Sequence, residues 1–163
     1  MVARREKQIM STENAQQSLT EYVTAMIGGQ LFGLPIMRVQ DVFIPERLPR
    51  VPLAPPEIAG ILNLRGSIVT LIDMRRRFGL GERNDDDAAM AIGVESRGES
   101  YGLLIDSVGE VLKLDDAERE PNPVNLDQRL ARVSAGIHRL DGQLLMVVDV
   151  DRVLDIGTKE LAA

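Results

Sequence analysis

The sequence contains itself twice. Offset by 69 positions, Phe32–Val42 overlays Tyr101–Val111, and five of these eleven positions are identical: Gly33/Gly102, Leu34/Leu103, Ile36/Ile105, Val39/Val108 and Val42/Val111. Offset by 76, Gly60–Phe78 overlays Gly136–Leu154 with six identities in nineteen: Gly60/Gly136, Ile61/Ile137, Leu64/Leu140, Gly66/Gly142, Asp73/Asp149 and Arg76/Arg152. Unrelated segments of this composition would agree at about one position per window, so the chain reads as one small unit used twice. The second copy has seven more residues between its matched segments. A copy of roughly 60–70 residues builds only a marginal core alone. The two copies are therefore expected to share apolar surface and to leave a groove at their junction.

Each copy is written in short strands and tight turns. TEYVTAMI, LFGLPI, GILNLRGSIVTLID, AMAIGVES and YGLLI are apolar runs broken at Gly28-Gly29, Arg65-Gly66 and Arg97-Gly98, with a last hairpin centred on Asp141-Gly142. Asp-Gly is a strong hairpin signal because both turn positions favour positive φ. Many short strands at regular spacing predict an all-β barrel or sandwich. Hydrophobic residues make up 44% of the chain but aromatics only 3%, so the core must come from Val, Ile, Leu, Ala and Met. Residues 1–18 are polar and unpatterned and predict a disordered arm; residues 156–163 read as a helix end or tail.

Positions shared by the copies have structural readings. Gly66 and Gly142 permit turns. Asp73 and Asp149 precede the amphipathic runs MRRRFGL and VDRVLDI and suit the N-caps of short closing helices. Ile36, Val39 and Val42, like Ile105, Val108 and Val111, recur every third residue and predict a helical turn laid against a barrel. Positions that differ are more telling. Asp41 matches Glu110, but Arg65 matches Asp141. Only the first copy can pair an acid with an arginine, Asp41 with Arg65. The arginine is then either an idle turn charge or part of an interface, where its planar fork makes directional contacts.

Several function classes recede. A net charge of −6 opposes general nucleic-acid binding. With no Cys there is no disulfide framework or thiolate site. The start shows no secretory pattern, and no stretch is long and apolar enough for a membrane helix, so the chain reads as soluble with no direct insertion. No nucleotide-binding glycine motif is present. His138, the single histidine, matches Leu62 in a strand and reads as packing, not catalysis. Asp85–Asp87 lack the alternating ligands of a calcium loop and read as a solvated run. A proline-recognising groove needs aromatics that three Phe and two Tyr cannot supply. The run Arg75-Arg76-Arg77 reads as the exposed face of the closing helix. No cofactor, metal or catalytic residue is expected.

At these same residues the chain resembles a known family. GILNLRGSIVTLIDMRRRF is similar to the G-x-x-N-L-R-G-x-I-x-P-x-x-D-L core of CheW, the chemotaxis coupling family. FGLPIMRVQDV and YGLLIDSVGEVLKL resemble its Y-G-I-x-I-x-x-V-x-E-I and G-I-x-V-D-x-V-x-x-V elements. The resemblance runs in order from Glu21 to Leu154. It implies two SH3-like, five-stranded β barrels around a shared apolar interface within 19–155, divided roughly into 35–85 and 20–34 plus 86–155. It further implies a non-catalytic adaptor in the cytoplasm, recruited to membrane-bound arrays. Its partners would be the regulatory domain of a CheA-type histidine kinase, itself CheW-like, and the cytoplasmic tip of methyl-accepting chemoreceptors. The interface residues carried over are Val39, Asp41, Val42, Gly60, Asn63, Arg65, Gly66, Val108 and Val111. Asp41 stands where the family has Glu, and Thr70 where it has Pro. A paralogue serving gliding or biofilm formation, or a generic peptide-binding module, is the alternative.

Overall fold

The computed structural model describes residues 18–45, 55–81 and 89–155. The charged run Asp85–Asp87, nearly all of the predicted N-terminal arm and the 156–163 tail lie outside these residues. Among the described residues are ten strands: β1 (Leu19–Ile27), β2 (Gln30–Pro35), β3 (Val39–Phe43), β4 (Ile58–Leu64), β5 (Ser67–Asp73), β6 (Met90–Ser96), β7 (Glu99–Ile105), β8 (Ser107–Asp115), β9 (Ser134–Leu140) and β10 (Gln143–Val148). Three short helices accompany them: α1 (Met74–Phe78), α2 (Gln128–Val133) and α3 (Val150–Leu154).

The strands form two five-stranded sheets with matching plans, β8-β1-β2-β10-β9 and β3-β6-β7-β5-β4. In each, the only parallel contact among the described residues joins the second strand of a repeat's first hairpin to the last strand of the other repeat: β2 with β10, and β7 with β5. The repeats therefore exchange hairpins. β1–β2 completes the barrel built from β8, β9 and β10, and β6–β7 completes the barrel of β3, β4 and β5. The boundary expected at 85/86 is corrected: strands 90–105 belong with the first barrel. The duplication itself requires this, because β6–β7 is the counterpart of β1–β2 and must cross in the same way.

Three apolar clusters follow from alternation along doubly covered strands. Val69, Leu71, Ala91 and Leu104 fill one barrel, and Tyr22, Leu145 and Val147 the other. The largest cluster lies between the sheets, where Val23, Ala25, Ile27, Phe32 and Leu34 meet Ile72, Ile92, Val94, Leu103 and Ile105. Phe32 of one barrel stacks on Phe78 of the other with ring centroids 4.7 Å apart. At ~25 cal/mol per Å² of buried apolar surface, this shared layer supplies most of what neither small barrel interior could.

Local signals behaved as the residue types dictate. Asp73 accepts from Arg75 N at 3.1 Å and Asp149 from Arg152 N at 3.3 Å, capping α1 and α3. Arg65 and Arg97 both take left-handed φ of 52° at their turns, followed by Gly66 and Gly98. At the last hairpin only Gly142 has positive φ; Asp141 does not.

The predicted helical turn is corrected. Only Ile36–Arg38 forms one turn of 3-10 helix, and the second copy has none at that place. The three-residue spacing belongs to bulged strands. Val39 opposes Val94 while Asp41 opposes Gly93, so Gln40 is an extra residue. On β8, Val111 opposes Val23 and Val108 opposes Ala25, leaving Gly109 and Glu110 against Thr24 alone. A strand period of two plus one bulged residue gives three, and both valines of each pair keep the face of the shared core.

Candidate functional site

The chain crosses between barrels twice, at Ile36–Arg38 and at Asp106. β3 and β8, the strands that leave these crossings, are edge strands of their sheets. Val39 and Val108 pack partly buried against the shared core. Three residues on, their companions emerge: Val42 is 40% exposed and Val111 51%. Each seam between the barrels thus surfaces as a valine that belongs by register to the core face. Met37 and Ile44 on either side of β3 are more exposed still. Exposed apolar groups this close together along one edge strand are candidates for an interaction surface.

The second candidate group is the β4–β5 hairpin, at the other edge of the same sheet as β3. Gly60 is buried in β4 opposite Leu71. Asn63 has a structural place in the turn: its side-chain oxygen accepts from Gly66 N at 3.1 Å. That turn holds Arg65 exposed at its tip in a left-handed conformation, which costs an L-residue about 1–2 kcal/mol. Sequence reasoning missed Ile61 and Ile68, which are 51% and 70% exposed and flank Asn63 on one face of the hairpin. Comparison of the copies carries the signal. Ile137, the counterpart of Ile61, is buried in the shared core with Leu130 and Val133, and its backbone exchanges hydrogen bonds of 2.8 and 2.9 Å with Glu120. The longer connection of the second copy supplies Leu130 and Val133 to this packing.

The expected Asp41–Arg65 ion pair is absent: neither residue takes part in the ion pairs found among the described residues. Asp41 lies on β3, at the far edge of the sheet from the hairpin, and its carboxylate sits over Gly93, filling the space a Cβ would occupy. The second copy solves the same bulge from the opposite strand. There Thr24, the counterpart of Gly93, donates to Glu110 O at 2.6 Å over Gly109.

The arginine run of α1 is likewise corrected. Arg75 makes a two-pronged pair with Asp106, Nε to Oδ1 and a terminal nitrogen to Oδ2, both 2.9 Å. Arg77 donates to the carbonyls of Val153 and Arg152 at 3.2 and 3.0 Å, capping α3 of the other barrel. Only Arg76 keeps the duplicated local role, 3.9 Å from Asp73, as Arg152 is 3.4 Å from Asp149. At the other crossing Arg38 reaches Asp151 at 2.8 Å, and this bond holds the Asp151 carboxyl below its ordinary value of 3.8. His138 is buried in β9 against the Tyr22 ring, as its match to Leu62 predicts. Among the described residues no group of three or more His, Cys, Asp or Glu side chains could hold a metal, and no helix is long and apolar enough to cross a membrane.

The CheW-like domain model matches residues 21–157, the span of both barrels. The chain belongs to the CheW family. This CheW-family chain is 26% identical over 153 residues to the chemotaxis protein CheW of Rhizobium meliloti, covering 91% of this chain and 99% of that protein. It is 26% identical over 140 residues to CheW of Bacillus subtilis, covering 86% and 90%. The crystal structure of the scaffolding protein TtCheW from Thermoanaerobacter tengcongensis superposes with a TM-score of 0.70 at 32% identity, over 79% of this chain and 83% of that one.

Proposed function

We propose that this CheW-family chain is a non-catalytic chemotaxis adaptor that couples chemoreceptors to a CheA-type histidine kinase. Membership in a family whose relatives are chemotaxis and scaffolding proteins supports the class. The observation that carries the mechanism is the division of exposed apolar residues into two places. The seam valines Val42 and Val111, with Val39 and Val108 beneath them, suit the apolar face of a receptor's helical hairpin tip. The β4–β5 hairpin, with Ile61 and Ile68 beside Arg65, suits a flat apolar patch with a charged anchor, and here the kinase's regulatory domain docks. Gly60, Asn63 and Gly66 shape this surface from within. Holding both partners raises the effective concentration of kinase at the receptor and lets receptor state bias the kinase. The chain acts in the cytoplasm at membrane-bound receptor arrays.

Reconstitution tests this with purified chain, CheA-type kinase and receptor-bearing membranes from the same cell. Val42→Asp with Val111→Asp is expected to abolish receptor recruitment while kinase binding persists, and Arg65→Asp to do the reverse. Wild-type chain that recruits neither partner would overturn the proposal.

A further inference from the structure

A belt of polar contacts joins one crossing to the other through both closing helices. At the second crossing Asp106 accepts the fork of Arg75, Nε and a terminal nitrogen, both at 2.9 Å. Two residues along α1, Arg77 reaches into the other barrel and donates to Val153 O at 3.2 Å and Arg152 O at 3.0 Å. Those carbonyls lie on α3, and Asp151 of α3 pairs with Arg38 of the first crossing at 2.8 Å. The belt therefore runs Asp106, Arg75, Arg77, α3, Asp151, Arg38.

The repeat does not demand these residues. Position for position, Arg75 corresponds to Asp151, Arg77 to Val153 and Asp106 to Met37. Val153 is fully buried in the shared core, whereas Met37 is 90% exposed. Each copy builds the same elements at these places with different side chains. The belt serves the relation between the barrels, not the fold of either one.

The chain ties the barrels together at two short connections, Ile36–Arg38 and Asp106. Two ties leave one relative rotation, about the line that joins them. Apolar burial is non-directional, so the shared layer resists separation more than a small turn. Hydrogen bonds and forked ion pairs are directional and oppose the turn. The seam valines follow the ties at once: Val39 is next to Arg38, and Val108 stands two residues past Asp106. Val42 is carried by a strand of one barrel and Val111 by a strand of the other, so their separation follows the placement of the barrels. The β4–β5 hairpin lies within one barrel. At ~3.3 Å per residue along β5, its tip is about 20 Å from α1.

Resting on the docking sites assigned above, we propose that Arg75 and Arg77 are positioning residues for the receptor. The belt fixes the angle between the barrels, and with it the spacing of the seam valines that the receptor tip must span. The kinase-docking hairpin does not depend on that angle.

The test measures the angle and both bindings in the full-length chain. The chain has no Cys, so Ser67→Cys and Gln143→Cys, on exposed strand ends of the two barrels, supply the only sites for paired spin labels. Wild type is expected to give one narrow distance distribution by electron–electron resonance. Arg77→Ala, alone and with Arg75→Ala, is expected to shift or broaden it by more than about 2 Å. In the unlabelled chain the same changes should weaken recruitment to receptor-bearing membranes roughly tenfold. Binding of purified kinase should stay within about twofold. Arg77→Lys, which keeps a donor on a similar stem, should fall between Arg77→Ala and wild type. The proposal is overturned if the distances do not change, if they change while receptor recruitment does not, or if kinase binding falls in step with recruitment. The distance needs no partner. If Val42→Asp with Val111→Asp leaves recruitment intact, the assignment of the seam fails, and the spectrum still decides whether the belt sets the angle.

Discussion

Arg75 and Asp106, 31 residues apart, are joined by two parallel hydrogen bonds of 2.9 Å that tie the closing helix of one barrel to the crossing into the other. Both side chains are about four-fifths buried, at 20% and 21% exposure, and Asp106 also holds the Gly28 turn. A two-pronged guanidinium–carboxylate pair in this setting is stronger than an open surface pair. Arg75→Ala leaves the carboxylate with only part of its partners. The expected loss is about 1–3 kcal/mol in urea denaturation, with a melting point lower by several degrees. Arg139→Ala, which breaks the exposed pair with Glu120, is expected to cost under about 1 kcal/mol.

Gly93 tests the packing of Asp41. Its missing Cβ is the space the Asp41 carboxylate occupies. Gly93→Ala forces that side chain away from its place over β6 and is expected to destabilise by about 1–3 kcal/mol. Adding Asp41→Gly empties the space from the other side. A double-mutant cycle should recover most of the loss; strict additivity would show that the two residues do not compete for the site.

Arg65, like Arg97 at the β6–β7 turn, is held at positive φ. Arg65→Gly removes the penalty for positive φ in a turn already held by Asn63. A gain of about 0.5–1 kcal/mol in stability is expected, together with loss of kinase coupling. Arg65→Asp is expected to lose coupling with the fold intact, and adding Asp41→Arg does not restore it, because the two residues are not paired. Calorimetry and a coupled phosphorylation assay on the same samples separate these effects.

The buried His138 predicts a pH dependence. Burial lowers its pKa below the ordinary 6.5, followed in effect by the nearby Arg119, and its Nε2 has no hydrogen-bond partner. Well above pH 6.5 the ring is neutral in both folded and unfolded chains, and stability is unaffected by it. Below that, the unfolded chain takes up the proton first. Stability therefore falls as pH drops from 6.5 toward the lower folded value. His138→Leu, the residue its counterpart Leu62 supplies, should flatten the melting-point profile across this window. An unchanged slope would assign the dependence to other groups.

What could be read from residues alone was whatever acts over a few positions. The duplication, the hairpin turns at Gly28, Arg65 and Arg97, and the caps Asp73 and Asp149 follow from φ preferences and the reach of one side chain. That each copy is too small to stand alone follows from surface-to-volume scaling, and it foretold the shared layer around Phe32 and Phe78. The tertiary structure decided everything that depends on which distant strand lies alongside. A bulge at Gln40 looks like a helical period until its partner β6 is seen. Arg75 looks like a solvated charge until the crossing at Asp106 arrives beside it. Asp41 and Arg65 look like partners until the Asp41 carboxylate is seen packed over Gly93 of β6. Alternation and turn chemistry are local and much alike in both repeats, so they do not show which hairpin joins which barrel; that is seen only in the parallel contacts β2–β10 and β7–β5, and the three-residue and one-residue connections after the hairpins are too short to allow the other arrangement.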